Sequence, residues 1–472
     1  MSEPHSDALV FLGATGDLAY KKIFPSLQAM VRRGHLSLPV IGVAKAGWSL
    51  DQFKARARES VDKHGGLDPA AFAKLSGLLR YVDGDYQDPA TFAALRKALG
   101  PAQHPTHYLA IPPALFGVVV EQLGKSGCAR GARVVVEKPF GTDLASARTL
   151  NHTLHALFDE SQVFRIDHFL GKESVDNIVA FRFANGLSEP VWNRKHIAYV
   201  QIDVPETLGL EGRGGFYDAT GAYRDMIVTH LFQVLGFVAM EPPTSLDVRH
   251  LRAETAKVFD ALQPIDPANA VRGQYTGYHD EPGVQLGSPT ETLAAVRAEV
   301  DNWRWAGVPF FLRSGKHLAA SRQLITLGFR EPPLRMFPVH GSHAPNGRRN
   351  EIVIDFADPG SITASFLAKE PGAAMRLGPA EMTFRYADSS GAASTLEGYE
   401  RLLLDAMLGD QSLFTSADAI ERLWEISAPL LDNPPPTQPY SRGSWGPQPA
   451  LDHLTAPYHW HLPGTNPLSI KH

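Results

Sequence analysis

The chain has 472 residues, 44% of them hydrophobic and 20% charged, an ordinary composition for a globular enzyme with length for two or three domains. Its net charge of −5 contains no basic block, so neither nucleic acid nor a membrane surface is an expected partner, and any anionic substrate needs a local cationic pocket. A single cysteine, Cys128, excludes an intrachain disulfide and reads as a small packed residue in a reducing compartment. The N-terminus is polar without a signal pattern, and no apolar run approaches the roughly 20 residues of a bilayer span, so the expected location is cytoplasmic.

The first third alternates strand-like and helix-like stretches. Ala8–Leu12 is an apolar run closed by Gly13, and a helix follows to Arg33, with Pro25 either near its start or at a kink and Gly34 as its stop. Val40–Ala44 is the next strand, and Ser49 to Gln52 has the capping-box spacing for a helix to about Lys63. Leu79–Asp83 and Thr106–Ile111 read as strands, Pro89–Leu99 and Ala114–Gly124 as helices. Val134–Val136 is a β-branched strand, Asp143–Phe158 a helix and Val163–Ile166 a strand again. Strict alternation implies a Rossmann-like, doubly wound parallel sheet over residues 1–172.

Beyond Glu173, longer strand-like runs appear at Ile197–Val204, Glu299–Trp305, Gln323–Phe329, Glu351–Phe356, Ser361–Leu367 and Glu381–Tyr386. Turn residues separate them, as at His340–Gly347 and Asp358–Gly360. Helices interrupt at Ala222–Met240, Val248–Leu262, Tyr399–Leu408 and Ala417–Leu431. Residues 173–472 thus read as a larger α+β domain on a mainly antiparallel sheet, with the proline-rich Asn433–Gln448 as extended surface chain.

Two stretches carry chemistry. Gly13 to Ala19 lies between a strand and a helix, the context in which small residues and a helix N-terminus receive a pyrophosphate. At the end of the second strand, an NAD site usually presents an acid to the ribose and an NADP site a cation. Here Lys45 favours NADP; as a point charge without the guanidinium fork it leaves NAD as a second coenzyme, and an ordinary exposed lysine is the competing reading. Pro112 and the Glu137-Lys138-Pro139 triplet fall at further strand ends, on the edge where open α/β sheets bind ligands. The second stretch is Arg165-Ile166-Asp167-His168-Phe169-Leu170-Gly171-Lys172, between a strand end and a helix start. A carboxylate beside an imidazole can orient a general base, and His with Lys can hold an anion; caps and surface ion pairs are the competing reading.

RIDHFLGKE (165–173) closely resembles the RIDHYLGKE signature of glucose-6-phosphate dehydrogenases. The resemblance continues through FLGATGDLAYKKIFPSL (11–27), YLAIPP (108–113), EKPFG (137–141), EGRGGFYD (211–218), RDMIVTHLFQVLGFVAMEPP (224–243), FLRSGK (311–316) and SRGSWGP (441–447). It implies a nicotinamide dinucleotide with Gly13, Thr15, Gly16 and Asp17 lining its phosphates, and Lys138 and Pro139 beside substrate and nicotinamide. It further implies His230 as general base with Asp167 as its partner, His168 and Lys172 on the substrate phosphate, and Glu206, Asp225 and Lys316 on the sugar.

Two positions depart from the family pattern: Phe169 stands where relatives have a phosphate-binding tyrosine, and Ser321, with Arg322 beside it, where they have a second cation. The expected reaction oxidises glucose 6-phosphate with NADP+ and calls for no metal, in a homodimer or homotetramer. The alternatives are a related dehydrogenase of another aldose or aldose phosphate, and a non-catalytic NADP-sensing protein.

Overall fold

The computed structural model describes residues 5–334, 336–337, 350–357, 360–388 and 396–462. The turn read at His340–Gly347, and Asp358 of the turn read at 358–360, lie outside them. The chain forms two compact units. The first comprises residues 1–173, 243–253 and 396–424; the second comprises 174–242, 254–395 and 425–472. Two later segments, 243–253 and 396–424, thus group with residues 1–173 in the first unit.

In the first unit, β1 (Ala8–Leu12), β2 (Val40–Ala44), β3 (Leu79–Asp83), β4 (Pro105–Leu109), β5 (Arg133–Glu137) and β6 (Val163–Ile166) form a parallel sheet in the order β6-β5-β4-β1-β2-β3. The two-residue strand Phe414–Thr415 adds antiparallel to β6. Every residue of β1, β2 and β4 is buried, as strands covered on both faces require. The strand order reverses at β1, which pairs with β2 on one side and β4 on the other. A crevice forms at such a reversal, outside the C-terminal strand ends.

The capping box at Ser49 opens helix Leu50–His64 as read, and Gly34 ends the first helix in the left-handed conformation. Pro25 sits where a π-helical turn, Ala19–Ile23, gives way to α-helix, a site at which its missing N–H is least costly. Helix Pro69–Leu78 was not anticipated, although Asp68 caps it by accepting from the N–H groups of Ala70 and Ala71. Cys128 is fully buried.

Among the described residues, the second unit is built on nine strands. They are β7 (Ile197–Pro205), β8 (Ala270–Tyr275), β9 (Leu293–Glu299), β10 (Pro309–Gly315), β11 (Leu324–Phe329), β12 (Glu351–Asp355), β13 (Ser361–Lys369), β14 (Leu377–Arg385) and Thr437–Tyr440. Their order is β14-β13-β12-β11-β7-β10-β9-β8 followed by Thr437–Tyr440, antiparallel except at β7/β10 and at the last pair. The strand read at Glu299–Trp305 is displaced: β9 ends at Glu299, Val300 makes an isolated bridge to Leu262, and the residues from there to Gly307 form turns in which Trp305 is buried and Trp303 is 91% exposed. The proline-rich stretch is likewise not simply surface chain, since Thr437–Tyr440 pairs with β8 and buries Tyr440.

The helical stretch read at Ala222–Met240 resolves into Gly214–Ala222, a π-helical segment Tyr223–Leu231, and α-helix Phe232–Ala239. Its C-terminal carbonyls are taken up by buried donors. Arg182 donates to Phe237, Val238 and Met240, and the indoles of Trp192 and Trp305 donate to Val238 and Ala239 at 2.8 Å. Buried N–H groups thus satisfy carbonyls that a helix end otherwise leaves orphaned.

Candidate active site

In the first unit, Gly13 turns the chain out of β1 at φ +85°, and a Cβ there would lie 2.0 Å from the carbonyl oxygen of Ala110. Only glycine fits that position. Its N–H is used within the fold, donating to the Tyr86 hydroxyl at 2.7 Å and to Val43 O at 3.0 Å. The first intrahelical bond, Tyr20 N–H to Gly16 O, leaves the N–H groups of Asp17, Leu18 and Ala19 at the open end of the helix. Gly16 is exposed, Thr15 half-buried, and Asp17 is 83% exposed and paired with Lys21. A solvent-facing helix N-terminus behind a glycine turn suits a pyrophosphate, so the residues present fit a dinucleotide.

Lys45, just beyond β2, pairs with Asp85, Nζ to Oδ2 2.8 Å. The bond raises the lysine pKa and lowers that of the carboxyl, so both stay charged. Pro112 precedes the short helical turn Pro113–Leu115 after β4. Lys138 and Pro139 follow β5 and are joined by a cis peptide bond.

Glu137, the last residue of β5, received no role from the sequence. Burial pushes its carboxyl up to about 7 against hydrogen bonds from Tyr108 and Tyr399 and the charge of Lys138, while Asp167 adds to the rise. This half-buried acid and a second carboxylate therefore share the ends of β5 and β6. Asp167 is fully buried, and its Oδ1 accepts the N–H of Phe169 at 2.8 Å. The turn is pinned from both sides. Arg165 is buried against Glu160 and Asn151, and a Cβ on Gly171 would come within 2.8 Å of Leu402.

Phe169 is the hub of the cations named for phosphate. Its ring lies 4.9 Å from the His168 ring, edge-on, and 4.9 Å from Lys172 Nζ. The position that lacks a hydroxyl thus supplies an aromatic face to an ammonium.

In the second unit, β7 and β10 run in parallel register, Arg313 opposite Asp203 and Gly315 opposite Pro205. Arg313 grips Asp203 through Nε–Oδ1 at 2.9 Å and Nη2–Oδ2 at 2.6 Å, both side chains buried, with Trp460 over the guanidinium at 4.4 Å. This bidentate pair fixes the register. Three residues on along each strand, Lys316 and Glu206 come together as a second ion pair. Ser321 holds the same loop, accepting the Thr207 N–H at 2.8 Å, and the Arg322 N–H donates to Pro205 O at 3.2 Å. Ser321 thereby orders the chain beside Glu206.

His230 is fully buried on the π-helical segment, five residues after the half-buried Asp225. The bonds Thr229 Oγ1 to Arg224 O and Phe232 N–H to Ile227 O span five residues. That pitch stacks Asp225 and His230 about one turn apart on one face. Tyr217 was also missed by sequence reasoning, although its EGRGGFYD motif was noted. It is 4% exposed, and its hydroxyl is buried without a hydrogen-bond partner among the described residues. Its ring lies 5.8 Å from Lys316 Nζ. Burial first, then the charge of Asp225, raises its pKa well above the usual tyrosine value. An unpartnered donor near Lys316 and the carboxylates of Asp225, Glu291 and Glu206 is suited to a polyhydroxylated ligand.

Residues 10–177 match the family model described as glucose-6-phosphate dehydrogenase, NAD binding domain, and residues 179–461 match its C-terminal domain. The chain is 43% identical over 466 residues to glucose-6-phosphate 1-dehydrogenase 1 of Mycobacterium tuberculosis (strain CDC 1551 / Oshkosh), covering 97% of each chain. A crystal structure of glucose-6-phosphate 1-dehydrogenase from Mycobacterium avium superposes with a TM-score of 0.89 at 41% identity, covering 98% of this chain and 99% of that one. A glucose-6-phosphate dehydrogenase solved in complex with its substrate glucose 6-phosphate superposes at 0.90 with 33% identity and the same coverage. With both of its sheets, its strand-end motifs and nearly its whole length accounted for, the chain belongs to the glucose-6-phosphate dehydrogenase family.

Proposed function

We propose that this chain is a glucose-6-phosphate 1-dehydrogenase. It oxidises D-glucose 6-phosphate at C1 to 6-phospho-D-glucono-1,5-lactone with NADP+, opening the oxidative branch of the pentose phosphate pathway. The observation that carries this reading is a family match spanning both units at 43% identity to a curated dehydrogenase. When bound, the nicotinamide accepts the hydride. The chain's own work is to bind, orient and deprotonate.

In this reading residues 1–172 form the dinucleotide-binding domain and 173–472 the substrate and oligomerisation domain. Gly13, Thr15, Gly16 and Asp17 receive the coenzyme phosphates, Lys45 the adenosine ribose, and Pro112 and Pro139 shape the nicotinamide end. Lys138 serves coenzyme and substrate together. His230 removes the C1 hydroxyl proton, and Asp167 holds the imidazole tautomer and stabilises the imidazolium that forms. His168 and Lys172 hold the phosphate, while Glu206, Asp225 and Lys316 hold the sugar hydroxyls.

Among the described residues no helix is long and apolar enough to cross a membrane; the cytoplasmic location proposed here is supported by the single cysteine, which suits a reducing compartment. A homodimer or homotetramer through the large sheet is supported by β14, where Met382 is 64% exposed and Phe384 47%. Light scattering on the purified protein tests the assembly.

Initial rates of NADPH formation test the activity, with glucose 6-phosphate compared against free glucose at saturating NADP+. The expected outcome is kcat/KM far higher for the phosphorylated sugar. Comparable efficiency with free glucose overturns the substrate assignment.

A further inference from the structure

Lys45 stands where the coenzyme reading places the adenosine ribose, and its ammonium is already engaged by Asp85 at 2.8 Å. Asp85 is a fixed partner. Its other oxygen accepts the Gln87 N–H at 2.9 Å, and its carbonyl accepts from Thr91 Oγ1 at 2.8 Å, in the turn before helix Pro89–Leu99. A second acid, Asp83, ends β3 directly opposite Ala44 in the parallel pairing. Its Oδ1 accepts the N–H groups of Ala46 and Gly47 at 3.0 and 2.8 Å and the Tyr81 hydroxyl at 2.9 Å, so the turn after Lys45 is wrapped around a carboxylate. The Lys45 ammonium is therefore held by Asp85, in the turn just beyond β3, while Asp83 at the end of β3 holds the backbone that follows Lys45.

That arrangement treats the two dinucleotides differently. A 2′-phosphate brings a charge of about −1.5 to −2 and must take Lys45 from Asp85 while lying beside that carboxylate. A ribose 2′-hydroxyl can instead donate to a carboxylate, the interaction by which acids at this strand end recognise NAD. Sequence order conceals this, because Asp85 lies 40 residues beyond Lys45 and reaches it through the pairing of β2 with β3.

We propose that Asp85 is a coenzyme-selectivity residue, which by pairing with Lys45 weakens the preference for the 2′-phosphate and admits NAD+ alongside NADP+. This rests on the reading of the first sheet as the coenzyme site. The test is equilibrium binding, followed by the fluorescence of NADPH and of NADH, to the full-length chain and to Asp85→Asn, Lys45→Ala and the double variant. Asparagine keeps an acceptor for Gln87 and removes only the charge. Asp85→Asn is expected to tighten NADPH about three- to tenfold and leave NADH within about twofold, an effect that shrinks at high salt. Lys45→Ala is expected to weaken NADPH, and in its background Asp85→Asn is expected to recover much less. An unchanged NADPH-to-NADH ratio in Asp85→Asn, with Lys45→Ala still weakening NADPH, overturns the role of Asp85 and leaves the coenzyme site standing. Failure of Lys45→Ala to alter either dinucleotide overturns the location of the site and the proposal with it.

Discussion

Asp225 and His230 are five residues apart on a helical segment whose hydrogen bonds also span five residues, so that both project from one face. In an α-helix the same spacing would turn the two side chains well away from each other. The carboxylate assigned to a sugar hydroxyl and the imidazole assigned to the proton are thereby positioned by one local widening of the helix.

His230→Asn keeps a polar side chain in a buried place and removes the base. We expect kcat to fall about 10²- to 10⁴-fold with glucose 6-phosphate still bound by calorimetry. Unchanged turnover would remove His230 from the mechanism.

Phe169→Tyr restores a hydroxyl beside His168 and Lys172 without disturbing the ring contacts at 4.9 Å. The expected result is a KM for glucose 6-phosphate lowered about three- to tenfold, as one added hydrogen bond to a charged group allows, with kcat little changed. Steady-state kinetics with free glucose is the control, since only the phosphate should feel the change.

Tyr217→Phe removes a buried hydroxyl that has no partner in the described fold. Stability should hold or rise by up to about 1 kcal/mol in thermal unfolding, because an unpaired polar group is lost. The KM for the sugar phosphate should rise severalfold if the hydroxyl binds substrate. A lower Tm with unchanged KM would instead mark a structural residue.

Glu137 gives the fold a pH dependence of defined sign. Desolvation pushes its carboxyl up to about 7, so between the ordinary glutamate range and pH 7 the folded chain binds a proton that the unfolded chain has released. The contribution is therefore largest in acid and is lost as the pH rises through 7. Urea midpoints should show this slope in the wild type and lose it in Glu137→Gln, the difference amounting to about 2–3 kcal/mol across the window.

Arg313→Ala leaves Asp203 charged and buried without its bidentate partner. The cost should be about 3–5 kcal/mol in urea unfolding, and less when Asp203→Asn is combined with it.

Much of this was legible in the residues. The six parallel strands, the capping box at Ser49 and the turn at Gly13 are local signals, set by period and by backbone chemistry, and they survive folding unchanged. What was misplaced depended on partners distant in sequence. Trp303 and Trp305 made a turn look like a strand, yet one indole is exposed and the other reaches a helix carbonyl at Ala239. β10 is buried throughout, and its residues carried a motif loud enough to hide that they were also a strand. The pairing of Lys45 with Asp85, the clustering of Tyr108 and Tyr399 on Glu137, and the π-helical pitch at His230 leave no periodic trace.

The first unit closes its sheet with Phe414–Thr415 and takes Tyr399 and Trp424 from the same late segment, Trp424 donating to Phe140 O at 3.0 Å. During synthesis, then, the earliest-made strands must wait unfinished until almost the entire polypeptide has left the ribosome. A fragment cut after residue 173 would lack an edge strand and its packing helices, and is a poor candidate for expression as a free-standing domain.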